Sequence, residues 1–148
     1  MEGWFDRKRG TLHSPDTDTI RKLHDAFRRS LAGGCVVKTD GIAALPEMDQ
    51  VEIILRIRMF DDFNKPSDPY GEHDFGSLYA SGNKVFFEIE YFDKDLNFGS
   101  ENPTDPEMTT RVMTVMLANE YCTLVIFLNF FDTAAVFFTH LIVGSFQV

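Results

Sequence analysis

Cysteine is nearly absent from this chain: Cys35 and Cys122 are the only two in 148 residues. Two thiols give neither the spacing of a zinc site nor a disulfide framework, so both are read as reduced. No Gly-x-Gly-x-x-Gly, P-loop, Gly-x-Ser-x-Gly or His-Glu-x-x-His occurs, so the common signatures of nucleotide binding, acyl transfer and zinc proteolysis are missing. Neither cysteine stands in a Cys/His arrangement and no motif sets a serine beside His73, which leaves nucleophilic catalysis without support. Arg7-Lys8-Arg9 has no apolar run behind it. The expectation is therefore a cytoplasmic protein rather than a secreted one.

Basic charge is also scarce beyond the first helix. Residues 1–39 hold 8 basic and 5 acidic side chains, but residues 40–107 hold 5 basic and 16 acidic, a local net charge of −11 within a total of −9. That middle disfavours direct contact with nucleic acid and favours a basic protein surface or a cation. Basic and aromatic residues interleave only in the first 29 positions, and weakly.

What is present is a hairpin. From Lys84 to Phe92, Val85, Phe87, Ile89 and Tyr91 alternate with Phe86, Glu88 and Glu90, the period of a strand with one buried face. Gly82-Asn83 reads as a two-residue turn with Phe75–Ser81 as the partner strand. This register sets Ala80 opposite Val85, Leu78 opposite Phe87 and Gly76 opposite Ile89. It also gathers Glu72, Asp74, Asp93 and Asp95 at the open end.

The rest of the chain divides around that hairpin. Residues 1–13 read as a mobile arm. A helix follows Ser14-Pro15-Asp16, with Ile20, Leu23, Phe27 and Leu31 as its apolar stripe and Gly33-Gly34 as its stop. His24 and Arg28-Arg29 are read as solvated helix surface. Cys35–Thr39 is a strand, Asp40-Gly41 a turn, and Pro46 opens a second helix through residue 63 with Val51, Ile54, Leu55 and Arg58 on one face, although Ile53, Leu55, Ile57 and Met59 also alternate as a strand would. Asp105-Pro106-Glu107 starts a third helix whose stripe is Met108, Val112, Val115, Met116, Leu117 and Tyr121, with Arg111 one turn from the cap. Between Cys122 and Val148 only Asp132 and His140 are chargeable. This stretch is read as two buried strands, with a membrane anchor over residues 123–143 as the alternative. The expected fold class is α+β: three helices packed on a small, mostly antiparallel sheet centred on the hairpin, as one domain over residues 14–121, followed by an apolar extension over residues 122–148.

Glu72, His73 and Asp74 are the candidate binding residues, with Arg111 as a partner for their carboxylates. Glu72, Asp74, Asp93 and Asp95 are the candidate metal ligands, since hard oxygen donors suit magnesium, manganese or calcium. A hydrogen-bonded loop end built by the same side chains is the structural alternative. Asp93-Lys94-Asp95-Leu96-Asn97 begins like a calcium loop, but its glycine comes one position late and Thr104 replaces the glutamate at position twelve, so a set of Asx turns is expected instead. No cofactor is called for beyond a divalent cation.

Several blocks resemble a known family: Leu23-His24-Asp25-Ala26-Phe27-Arg28, Phe60-Asp61-Asp62-Phe63, Asp68-Pro69-Tyr70-Gly71-Glu72-His73-Asp74-Phe75-Gly76, and Thr110-Arg111-Val112-Met113-Thr114-Val115-Met116-Leu117-Ala118 with Glu120-Tyr121. They resemble the uncharacterised bacterial domain-of-unknown-function family 3768. The resemblance implies an alphaproteobacterial setting, often on mobile elements, and attaches no activity. The chain departs from it at Phe87-Glu88-Ile89-Glu90, where the family reads more like aromatic-Lys-Ile-Asp, and by running on past Tyr121. Together the readings give a non-enzymatic acidic binding or regulatory protein of a mobile element, an inhibitor of a basic nucleic-acid-binding protein by polyanion mimicry. The alternative is a divalent-metal hydrolase with His73 as acid or base.

Overall fold

Strand period and β-branched content build a four-stranded sheet, seen in a computed structural model that describes residues 15–121. Helix α1 (Pro15–Ser30) leads into β1 (Gly34–Lys38), the single helical turn α2 (Asp40–Ala43) and α3 (Glu47–Met59). Strands β2 (Phe75–Ala80), β3 (Asn83–Phe92) and β4 (Thr110–Leu117) follow. Residues 118–121 are again helical. The order across the sheet is β1-β4-β3-β2, with β1 parallel to β4 and the other two pairings antiparallel. The α+β class is as expected, but the sheet is mixed, two of the three expected helices form as α1 and α3, and the short α2 stands in place of the expected turn. The arm over residues 1–13 and the strands or anchor beyond residue 122 lie outside the described residues.

The largest correction concerns β4, which the sequence reading makes a helix. Thr110, Val112, Thr114 and Val115 are β-branched and favour a pleated surface. Met113 and Val115 join the core under the helices, while Val112 packs on the other face with Val37 and Phe92. A central strand covered on both sides is apolar on both sides, so its run also satisfies a helical stripe. Asp105 and Pro106 therefore belong to a turn and not to a cap.

Helices α1 and α3 cover one face. Phe27, Ile53 and Ile57 meet Val85, Phe87, Ile89, Met113 and Val115 there, all buried. On α3 the buried pair is Ile53 and Ile57, while Val51 and Leu55, expected on the packed side, are about half exposed. Across the sheet, Leu96 of the 93–109 segment covers Phe92 and Val112. Asp93 accepts from the Asn97 amide at 2.9 Å, four residues further on, which closes this loop on itself. Behind the sheet end, Glu120 accepts from Thr39 Oγ1 at 2.6 Å, Gly41 N at 2.8 Å and Leu117 N at 2.9 Å, tying β4 to the start of α2.

The hairpin forms one position earlier than expected. Ala80 pairs with Asn83, Leu78 with Val85 and Gly76 with Phe87. The turn is Ser81-Gly82, both at positive φ, 48° and 73°, as a type I′ turn needs. Moving a two-residue turn by one place changes every partner by two, so each side chain keeps its face. Val85, Phe87 and Ile89 are buried as expected. Gly76 lies under the Phe87 ring, where a Cβ would collide with Phe87 and crowd Phe60.

Candidate functional site

The segment between α3 and β2 is held by its own acids. Asp68, buried, accepts from the Glu72 amide at 3.0 Å and the His73 amide at 3.2 Å. That capping lets the chain reverse at Gly71 and His73, both at positive φ. The reversal sends Glu72, His73 and Asp74 in different directions.

His73 turns toward α1, where Nδ1 lies 3.0 Å from Asp25 Oδ1 and 3.1 Å from Oδ2. Its Nε2 is 3.9 Å from Asp68. Phe63 stacks on the imidazole at 3.8 Å with an interplanar angle of 4°. Asp25 also accepts from Arg28 Nη2 at 2.9 Å, and Arg28 Nη1 reaches the carbonyls of Ile57 at 2.9 Å and Arg58 at 3.2 Å. Burial pushes the Asp25 carboxyl up, but hydrogen bonds from Arg28 and His73, with their charges, outweigh it and hold it below its ordinary value. Both ring nitrogens of His73 thus face carboxylates. This is the geometry of a clip joining α1 to the loop, with neither nitrogen turned toward an open site.

His24 and Arg28 are fully buried, which corrects their reading as solvated surface. His24 Nδ1 lies 2.9 Å from the Glu72 carbonyl, and the ring stacks on Tyr91 at 6.0 Å. The helix period hides them because Arg28 is one residue from the stripe. Its long side chain crosses beneath Phe63, 5.2 Å from that ring, to cap the end of α3. The charged pair Arg28-Arg29 gives no sign of this in the sequence. The carbonyls at the end of α3 supply the acceptors that burial requires.

Glu72 is buried, whereas Asp93 is half-buried and Asp95 exposed on the far loop. Among the described residues no group of three or more His, Cys, Asp or Glu side chains is placed to hold a metal ion. The four candidate ligands are thus not brought together, since the shifted register and the turn at Asp93 separate them. Arg111 is buried in β4 opposite Tyr91, and its Nη2 donates to the Pro103 carbonyl at 2.6 Å. Burial pushes its guanidinium down from its ordinary value, against an opposing effect of Tyr91.

Asp74, itself largely buried, lines a cleft of about 410 Å³ that Glu72 and His73 do not line. Pro66, Ser67, Pro69 and Tyr70 of the loop form one wall; Phe75, Phe86, Glu88 and Tyr121 form the other. Phe75, Phe86 and Tyr121 meet pairwise at 5.4–5.7 Å between ring centres, which fixes their faces. Phe86 already carries a cation, Lys84 Nζ, at 5.6 Å. Carboxylates beside aromatic faces are groups to which organic cations are attracted. The sequence reading misses the cleft because Phe86 and Tyr121 are distant in the chain and meet only once β4 is a strand.

The family model described as "Protein of unknown function (DUF3768)" matches residues 38–120, more than half of the chain. The chain belongs to this family. The match spans the Asp68–Gly76 motif, all of β2 to β4 and the cleft except Tyr121, while α1, with His24, Asp25 and Arg28, precedes it. No curated protein and no solved structure matches the chain. Among the described residues no helix is long and apolar enough to cross a membrane.

Proposed function

We propose that this family member is a non-enzymatic binding protein that presents its acidic middle to a basic protein surface, with the Asp74–Glu88 cleft receiving one lysine or arginine side chain. The observation that carries the reading is the pairing of those two carboxylates with the Phe75, Phe86 and Tyr121 rings. The surrounding charge, 16 acidic against 5 basic side chains over residues 40–107, supplies long-range attraction. Such a surface suits competition with nucleic acid for a basic partner, the polyanion mimicry expected of a regulator in the mobile-element setting that the family resemblance implies.

Titration of the full chain with an arginine-rich peptide, at about 50 mM and 300 mM salt, tests this. Binding is expected to weaken steeply with salt, because screening falls to within about 8 Å at physiological ionic strength. Glu88→Gln should lower affinity at both salts, and Glu101→Lys should act mainly on the association rate. Binding that ignores salt and both substitutions would refute the proposal. The hydrolase alternative has no assembled carboxylate group behind it among the described residues. A rise in melting temperature with manganese would revive it.

A further inference from the structure

Helix α3 is apolar on two opposite sides. Ile53 and Ile57 are buried in the core, yet Met48, Val51, Leu55 and Met59 are 76%, 46%, 48% and 82% exposed. Spacings of three, four and four place these four on one stripe, turned about half a revolution from Ile53 and Ile57. This two-sidedness explains why the sequence of α3 can be read as helix or strand. A solvated helix face normally carries polar residues there.

The charges beside the stripe are sorted along the helix. Glu47, Asp49 and Glu52 occupy its first half, and Arg56 and Arg58 its last turn. Glu52 and Arg56 lie on the same flank, about 42% and 57% exposed, and are joined at 2.8 Å. Glu47 and Arg58 lie on the other.

We propose that this stripe is an isologous dimer surface, on which α3 of a second copy packs antiparallel about a two-fold axis near Ile53. The register follows from the positions. Met48 lies over Met59 of the partner copy, and Val51 over its Leu55. On one flank Glu52 meets the partner's Arg56, and on the other Glu47 meets the partner's Arg58. One axis satisfies all four pairings, as a two-fold interface requires. A parallel arrangement would place acid against acid and base against base. Thirteen residues span about 20 Å, so the contact is at the small end of specific interfaces and the dimer depends on concentration. The inference is independent of the cleft, since it rests on a different element and on no residue that lines it.

Sedimentation velocity of the full chain from about 5 to 500 µM reads the outcome. A monomer–dimer equilibrium is expected, and Leu55→Lys should raise its dissociation constant by about tenfold or more while leaving the melting temperature of the monomer unchanged. Arg56→Glu alone should weaken the dimer, and Glu52→Arg combined with Arg56→Glu should restore it, because the reversed charges again meet their opposites across the axis. A monomer throughout the range would overturn the proposal, and if Leu55→Lys also lowered its melting temperature, another part of the same chain would be the stripe's cover. A dimer indifferent to Leu55→Lys, or a double reversal that fails to rescue Arg56→Glu, would overturn it as well.

Discussion

Replacing Asp25 with alanine removes the acceptor shared by Arg28 and His73. Its side chain is 17% exposed, that of Arg28 is fully buried and that of His73 is 25% exposed. Hydrogen bonds to charged groups contribute about 1.5–3 kcal/mol each, and breaking a fully buried ion pair costs about 3–5 kcal/mol. Partial exposure of Asp25 and His73 lowers that figure, and Arg28 keeps the carbonyls of Ile57 and Arg58. Arg29, 3.9 Å away and largely exposed, adds little. The expected cost of Asp25→Ala is therefore about 2–4 kcal/mol, a large share of the roughly 5–15 kcal/mol that holds a domain together. Urea unfolding with its slope unchanged measures it. In a double-mutant cycle, Asp25→Ala and His73→Ala should couple by about 1 kcal/mol, since they share one contact. A cost below about 0.5 kcal/mol, or strictly additive effects, would mean that the clip does not anchor the loop. His73 would then have to be explained by something it binds.

Three further outcomes follow from the same geometry. Because the carboxyl of Asp25 is held below its ordinary value, its contribution is complete above about pH 4 and is lost as pH falls through the lower folded value; urea midpoints between pH 5 and pH 2.5 should fall more steeply for the wild type than for Asp25→Asn. Gly76→Ala drives a methyl into the Phe87 ring and should cost about 1–3 kcal/mol, with Phe87→Ala, at about 3–5 kcal/mol, as the calibrating variant in thermal unfolding. Gly82→Ala must hold φ at +73° and should cost about 1 kcal/mol, whereas Asn83→Ala, which loses a side-chain hydrogen bond to the Ser81 carbonyl but keeps an ordinary φ, should cost less.

Where one face of an element meets water, the sequence is readable. The stripe of α1 and the alternation of β3 place Phe27, Val85, Phe87 and Ile89 in the core by spacing alone. Where both faces are apolar, period loses its meaning, and this is why β4 passes for a helix and the packed side of α3 is misjudged. The hairpin turn is ambiguous for another reason. Ser81-Gly82 and Gly82-Asn83 both contain a residue suited to positive φ, and the observed register is the one that sets Gly76 under the Phe87 ring, a fit that no local signal reports. Within the site, the Asp68–Gly76 motif stands out as polar and Gly-rich, but its division into a clip at His73 and a carboxylate lining the cleft at Asp74 depends on α1, some 50 residues earlier. Asp25 and Arg28 give no hint of that role, since an acid three residues before an arginine is ordinary on any helix surface.

The order β1-β4-β3-β2 makes β4, the last of the described strands, the one that joins β1 to the β2-β3 hairpin. Lys38 ends β1, but its partner Val115 lies 77 residues further on. At about 5–20 residues per second of synthesis, β1 waits on the order of 4–16 s for β4. During that interval the hairpin of β2 and β3 exists as an isolated two-stranded ribbon, which is marginal in water. Val85, Phe87 and Ile89 have no second neighbour strand, and α1 and α3 have only half a sheet to cover. Assembly is therefore a single late event rather than a progressive one, and the nascent chain presents an unpaired apolar edge until that event occurs. A cell making this protein meets its greatest risk of aggregation before β4 emerges, and substitutions in β4 should lower yield more than their effect on the finished fold would suggest.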